Sequence, residues 1–279
     1  MPDSYSQTHS LPAGSTDCHA HVFAPAVPPA ASMGALMAAA ADLSAYRRMQ
    51  RRLGLERAVL VQPNAYRADN SCLLQALEPL GSQARGVAVV GPGVSDAELV
   101  RLHKGGVRAA RIMQFPGGAV GMQELLAVNA RIRALGWSCI VQFEGREMAL
   151  WRRTLERVQG DYVIDHLGKF GQPLTPDCAA FRALLGLVDR GNCYVKIAAC
   201  YETSLAGYPD YQDVAALARA LIAHAPQRII WGTNWPHLSR PRDEAPDDAE
   251  LLDTVWRWMP DAQIRQQILV DNPARLYGF

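Results

Sequence analysis

Apolar residues along this chain fall into short runs that alternate between two periods. Continuous or alternating apolar stretches bounded by Gly, Pro or polar turns predict strands at Thr16–Phe23, Arg57–Gln62, Arg85–Val90, Val107–Ile112, Ser138–Phe143, Tyr162–His166, Cys193–Ile197 and Arg228–Asn234. Between them, apolar residues spaced three and four apart predict helices at Leu43–Leu53, Ser71–Leu80, Asp96–His103, Gln123–Leu135, Glu147–Val158, Ala179–Asp189, Tyr211–His224 and Ala249–Trp258. Several strands are apolar on both faces, as in a parallel sheet covered by helices. This unbroken β–α alternation predicts an α/β fold, one (β/α)8 TIM barrel over residues 1–279, a length close to the roughly 250 residues such a barrel uses. No G-x-G-x-x-G follows the first strand to support an open dinucleotide-binding sheet. The Ala- and Pro-rich segment 24–43 is then a long loop over the active face, readable as a lid or as a mobile linker.

Composition narrows the class. Hydrophobic residues make up 49% of the chain, enough for a large core. A net charge of +1 lacks the basic excess of a nucleic-acid or membrane surface, so any small anionic substrate must be met by local charges. The six cysteines are scattered without a C-x-x-C pair, Met1–Ser6 has neither the basic nor the apolar part of a signal peptide, and no apolar run is long enough to span a bilayer. A cytoplasmic protein with free thiols is expected, with a homo-oligomer left open.

In a barrel of this kind polar residues at the C-terminal ends of strands form the site. Collected by strand, they are His19 and His21, Asn64, Arg111 and Gln114, Gln142 and Glu144, His166, Lys196 or Tyr201, and Asn234 with His237. Strand alternation predicts Asp17, His19 and His21 on one face, with Cys18 and Ala20 on the other. Three histidines ending two strands favour a functional over a structural role. Barrel closure would bring Asn234 beside the histidine pair. Arg111 suits a carboxylate clamp, with a salt bridge to a loop acid as the plain alternative. Asp17 orients the histidines or pairs with Lys196, and Trp231 and Trp235 read as packing residues.

Four motifs in order carry a resemblance: Asp17-x-His19-x-His21-Val22-Phe23, Val163-Ile164-Asp165-His166-Leu167-Gly168, Trp231-Gly232-Thr233-Asn234-Trp235-Pro236-His237, and Asn272-Pro273-Ala274-Arg275-Leu276-Tyr277. Together they resemble the amidohydrolase superfamily, in the branch containing 2-pyrone-4,6-dicarboxylate lactonase and related sugar lactonases. The resemblance implies a (β/α)8 barrel and hydrolysis of an ester-like ring bond. It implies that His19, His21 and His166 polarise the carbonyl, or hold a divalent metal as they do in some members. Arg111 matches a substrate-carboxylate arginine. Two further arginines of the dicarboxylate lactonase fall on Gly117 and Glu202, which argues against pyrone dicarboxylate itself.

The water-activating aspartate of the eighth strand falls on Asn234, whose amide cannot take a proton from water at neutral pH. Catalysis is therefore assigned to His19, His21, His166 and Asn234, with Glu144 as the candidate base and His237 and His166 as its rivals; Asp165 adjoins His166, so strand parity points it away and excludes it. Substrate contacts are assigned to Arg111, Asn64, Gln142, Tyr201 and His237. If a metal binds, His19, His21 and His166 would hold one zinc-like ion with an open position. The expected activity is hydrolysis of a small carboxylated lactone or cyclic ester. The alternatives are a metal-dependent decarboxylase or lyase of the same superfamily, and a barrel that binds an anionic ligand without catalysis.

Overall fold

The structure is a computed structural model that describes residues 9–23, 41–241 and 243–279. The expected loop 24–43 lies outside the described residues up to position 40, as does the N-terminal stretch Met1–Ser6. Eight parallel strands run in sequence order around one sheet: β1 Thr16–Ala20, β2 Arg57–Val61, β3 Ala84–Ala88, β4 Val107–Met113, β5 Ser138–Gln142, β6 Tyr162–Ile164, β7 Cys193–Ile197 and β8 Ile229–Trp231. Around them lie α1 Leu43–Arg52, α2 Ser71–Leu77, α3 Asp96–Lys104, α4 Leu125–Ile132, α5 Met148–Leu155, α6 Ala179–Val188, α7 Gln212–His224 and α8 Asp248–Trp258. The expected (β/α)8 barrel is the fold found. Closure uses hydrogen bonds between the ends of β1 and β8: His21 N–H donates to Trp235 O at 2.8 Å, and Asn234 N–H to His19 O at 2.9 Å.

Two apolar layers follow from the pleat. Cys18, Val59, Val61, Val87, Ala109, Ile140, Val163, Tyr194 and Ile230 fill the barrel interior, while alternate strand residues pack outward against the helices. Two short helices that periodicity did not predict follow, α9 Ala262–Gln266 and α10 Asn272–Tyr277, and the second closes the interior from below. Leu276 and Tyr277 enter the interior cluster, and the Asn272 amide donates to Pro226 O and Ile229 O at the foot of β8.

Alternation fails at β1. Between Asp17 and Ala20 the strand advances three residues while β2 advances two, from Ala58 to Leu60, so one extra residue bulges out. Cys18 therefore faces the interior, and Asp17 turns away to accept from Tyr46 Oη on α1 and from Thr233. The expected shared face of Asp17, His19 and His21 is corrected accordingly. Gly232 makes the bulge possible: a Cβ there would lie 2.5 Å from His19 N and 2.7 Å from His19 Cβ. The predicted strands β1, β6 and β8 also overrun, because their last residues leave the ladder to build the site.

Candidate active site

His19, His21, Arg111, Gln142, His166, Lys196, Tyr201, Asn234 and His237 are all buried at the C-terminal end of the barrel. Several sit in backbone conformations that strands do not use. His166, Asn234 and His237 have φ of 48°, 65° and 65°, in the sparsely populated left-handed region. Beyond Ile164 the strand parity of β6 no longer applies. Asp165, expected on parity to point away from His166, instead points inward, with Oδ2 3.4 Å from His19 Nδ1 and 3.9 Å from His166 Nε2.

Lys196 lies on the inward face of β7, fully buried, and it pairs with Asp165 rather than Asp17. Its Nζ forms an ion pair with Asp165 Oδ1 at 3.3 Å and donates to His19 Nδ1 at 3.1 Å. Burial alone would raise the Asp165 carboxyl, but Lys196, His166 and His19 together hold it well below the usual carboxylate range.

The imidazole tautomers follow from their partners. His21 Nδ1 lies 2.8 Å from the Val61 carbonyl, which can only accept, so Nδ1 carries the hydrogen and Nε2 is bare. His19 Nε2 lies 3.1 Å from His21 Nε2, so the shared hydrogen belongs to His19. That leaves His19 Nδ1 as the acceptor for Lys196. Burial keeps both rings neutral, with His19 pushed well below its ordinary value and His21 to about 3. The chain Lys196→His19→His21→Val61 thus holds a hydrogen on His19 Nε2.

Arg111 lies two residues before the end of β4. Its Nη1 donates to Gln62 O at 3.0 Å and its Nη2 to Gln142 Oε1 at 3.1 Å, while Nε is buried without a partner. Among the described residues no carboxylate forms an ion pair with it; the acids that act on it at longer range are Asp165 and Glu202. A buried guanidinium held only by neutral acceptors is poised for an anion.

A second polar chain runs along the other side. Asn234 Nδ2 donates to Tyr201 Oη at 2.8 Å, Tyr201 Oη lies 3.0 Å from His237 Nδ1, and His237 Nε2 lies 3.0 Å from Asp248 Oδ1. Asp248 opens α8, where the helix N-terminus favours a negative charge. Glu202 stands between the two groups. Burial would raise it, but His166 and its ion pair with Lys169 bring it to about 2.

The remaining expected residues lie apart from these chains. The Asn64 amide donates to Met113 Sδ at 3.0 Å, and Glu144 Oε1 accepts from Gly171 N–H at 3.4 Å on the loop after β6. No hydrogen bond or ion pair joins Glu144 to the histidines among the described residues. Sequence reasoning missed Asp248 and set aside Asp165. Only a fold that folds the Asn234–Asp248 loop back on itself could reveal the first, and only the break in β6 the second.

Among the described residues the donors nearest to a metal site are His19, Asp165 and His166, with one ligand atom from each lying within 4.8 Å of the others; His21 is outside that group. The group does not fit a divalent ion while Lys196 is charged. His19 gives its Nδ1 lone pair to Lys196 and holds a hydrogen on Nε2, so it has no lone pair left to ligate. An ion about 4 Å from the ammonium would also meet a repulsion of about 8 kcal/mol at an effective dielectric constant of about 20.

Comparison with known proteins gives a consistent setting. The family profile described as Amidohydrolase matches residues 16–279. A protein of Agrobacterium fabrum named D-galactarolactone isomerase is 38% identical over 270 residues, covering 96% of this chain and 92% of its own. A 2-pyrone-4,6-dicarboxylate hydrolase of Comamonas testosteroni is 34% identical over 282 residues, covering 96% and 91%. A crystal structure from Agrobacterium tumefaciens, 38% identical, superposes with a TM-score of 0.92 over 97% of this chain and 95% of that one.

Proposed function

This chain belongs to the amidohydrolase family of hydrolases, and we propose that it opens the ring ester of a small carboxylated lactone. The observation that carries this reading is Arg111, a buried guanidinium without a carboxylate partner among the described residues, beside two neutral imidazoles. A substrate carboxylate takes the open edge of Arg111, and its fixed fork orients the ring. The ester carbonyl oxygen replaces His21 as the acceptor of His19 Nε2–H. As the acceptor oxygen attacks the carbonyl carbon, negative charge grows on that oxygen and the His19 hydrogen bond strengthens, which is how such donors lower a barrier. Asp165 and Lys196 act behind His19, holding its ring and tautomer, and no step passes through a metal. The relative named for galactarolactone and the one named for pyrone dicarboxylate, itself a cyclic ester, support the substrate class.

A second reading concerns where the acyl group goes. Asn234 stands where a hydrolase of this branch needs a carboxylate to activate water, and its amide is not a base. Transfer to a hydroxyl of the same molecule, which changes ring size without consuming water, makes no demand for hydroxide, and the 38% identical relative is named an isomerase. One experiment separates the two. Purified protein is incubated with galactarolactone, 2-pyrone-4,6-dicarboxylate, 4-sulfomuconolactone and an uncharged lactone of equal ring size in H2(18)O, and products are followed by proton NMR and mass spectrometry. Label in a new carboxylate marks hydrolysis, and ring change without label marks isomerisation. Turnover of the uncharged lactone as fast as the charged ones, or of none, defeats the proposal.

A further inference from the structure

We infer that Tyr201, His237 and Asp248 form the proton relay that replaces the absent eighth-strand carboxylate, with Tyr201 Oη as the group that touches the acyl acceptor; this rests on the lactone reading above. Hydrogen direction along the chain is set from its far end. Asp248 can only accept from His237 Nε2–H, so His237 Nδ1 is bare and accepts the Tyr201 hydroxyl hydrogen. Tyr201 Oη then presents lone pairs, one of them taken by the Asn234 amide. This is the order of an acid–histidine–hydroxyl triad with a phenol in the hydroxyl place.

The other carboxylates fit the task less well. Glu202, held at about 2 beside Lys169, is a weak base, and Asp165 is neutralised by Lys196. Burial keeps Tyr201 from ionising by itself, so it passes a proton rather than storing one. Arg240 Nη2 donates to the Tyr201 carbonyl at 2.9 Å, which anchors the backbone that carries the ring.

In the forward step the acceptor hydroxyl attacks the carbonyl carbon. Its proton moves to Tyr201 Oη, the tyrosine proton moves to His237 Nδ1, and the carbonyl electron pair moves onto the oxygen held by His19. Collapse breaks the ring C–O bond. The leaving alkoxide takes a proton from Tyr201, which regains one from His237. Every atom and charge returns to its starting place, so one relay serves both attack and departure when acceptor and leaving group are neighbouring hydroxyls.

The test combines kinetics with a direct view of His237. Tyr201→Phe and His237→Gln should each lower kcat by about 10²–10⁴-fold with KM within about threefold. The double variant should be no slower than the worse single, since the residues act as one unit. The wild-type rate in H2O–D2O mixtures should curve as two moving protons require. Tyr201→Phe retaining more than a third of kcat, or multiplicative losses, overturns the relay. Two-bond (15)N–(1)H spectra of histidine-labelled protein should show His237 with its hydrogen on Nε2. A hydrogen on Nδ1 overturns the relay whether or not any lactone turns over, whereas a correct tautomer without lactone turnover removes only the lactone reading and, with it, the relay's catalytic use.

Discussion

Replacing Lys196 with Met keeps a long apolar stem and removes the ammonium that neutralises Asp165 at close range. Both side chains are fully buried, and without the ammonium the Asp165 carboxylate keeps a single donor, the His166 N–H on Oδ1 at 3.0 Å. Breaking a buried ion pair from one side destabilises by about 3–5 kcal/mol, because the remaining charge is left without a partner. At about 2–4 °C per kcal/mol for a chain near this size, Tm should fall by roughly 6–20 °C. The companion variant Lys196→Met with Asp165→Asn removes both charges and should recover most of the loss. Neither should recover turnover, since His19 no longer has a donor on Nδ1 to keep its hydrogen on Nε2; losing one oxyanion donor lowers kcat about 10²–10³-fold. Urea and thermal unfolding at pH 7.5, read beside lactone kinetics, give both quantities. The reasoning is refuted if the single variant lies within about 1 kcal/mol of wild type, or if the double variant is no more stable than the single.

Other expectations are more local. Arg111→Lys keeps charge but loses the fork, so KM for a carboxylated lactone should rise by about tenfold or more, measured beside an uncharged analogue whose KM should not move. Stability should fall as pH drops below 6.5, because the unfolded chain binds protons that His21, held at about 3, His19 and His166, all lowered by burial, refuse in the folded state. Asp17, held up at about 6 by burial, works in the opposite sense between 6 and 3.8, so urea midpoints from pH 8 to 4 should show a net decline that these histidines produce and Asp17 tempers; a flat profile would contradict the burial argument. Gly232→Ala should destabilise by more than about 2 kcal/mol in urea titration, since its Cβ would overlap the β1 backbone. Dialysis against a chelator should leave lactone turnover unchanged, and elemental analysis should find more zinc in Lys196→Met than in wild type.

The order of apolar runs by itself determined the barrel. Parallel strands buried on both faces and helices with one apolar stripe have few ways to pack, so the alternation already contains the architecture and puts His19, His21, Arg111, Gln142 and Asn234 at one end of it. Residue type likewise carried the consequence of Asn234, because an amide has no basic lone pair wherever it sits. What local pattern could not contain was direction and partnership at the strand ends. Asp17 and Cys18 exchange faces because a bulge forms against Gly232, a contact across 214 positions from Cys18. Asp165 turns inward because β6 stops at Ile164 and His166 takes a left-handed φ, which no two-residue period foresees. Lys196 meets His19 across 177 positions, and Asp248 meets His237 only after the loop beyond β8 folds back. Periodicity is a property of neighbours in the chain. The tautomers and proton paths of this site depend on neighbours in space, and only the closed barrel supplies those.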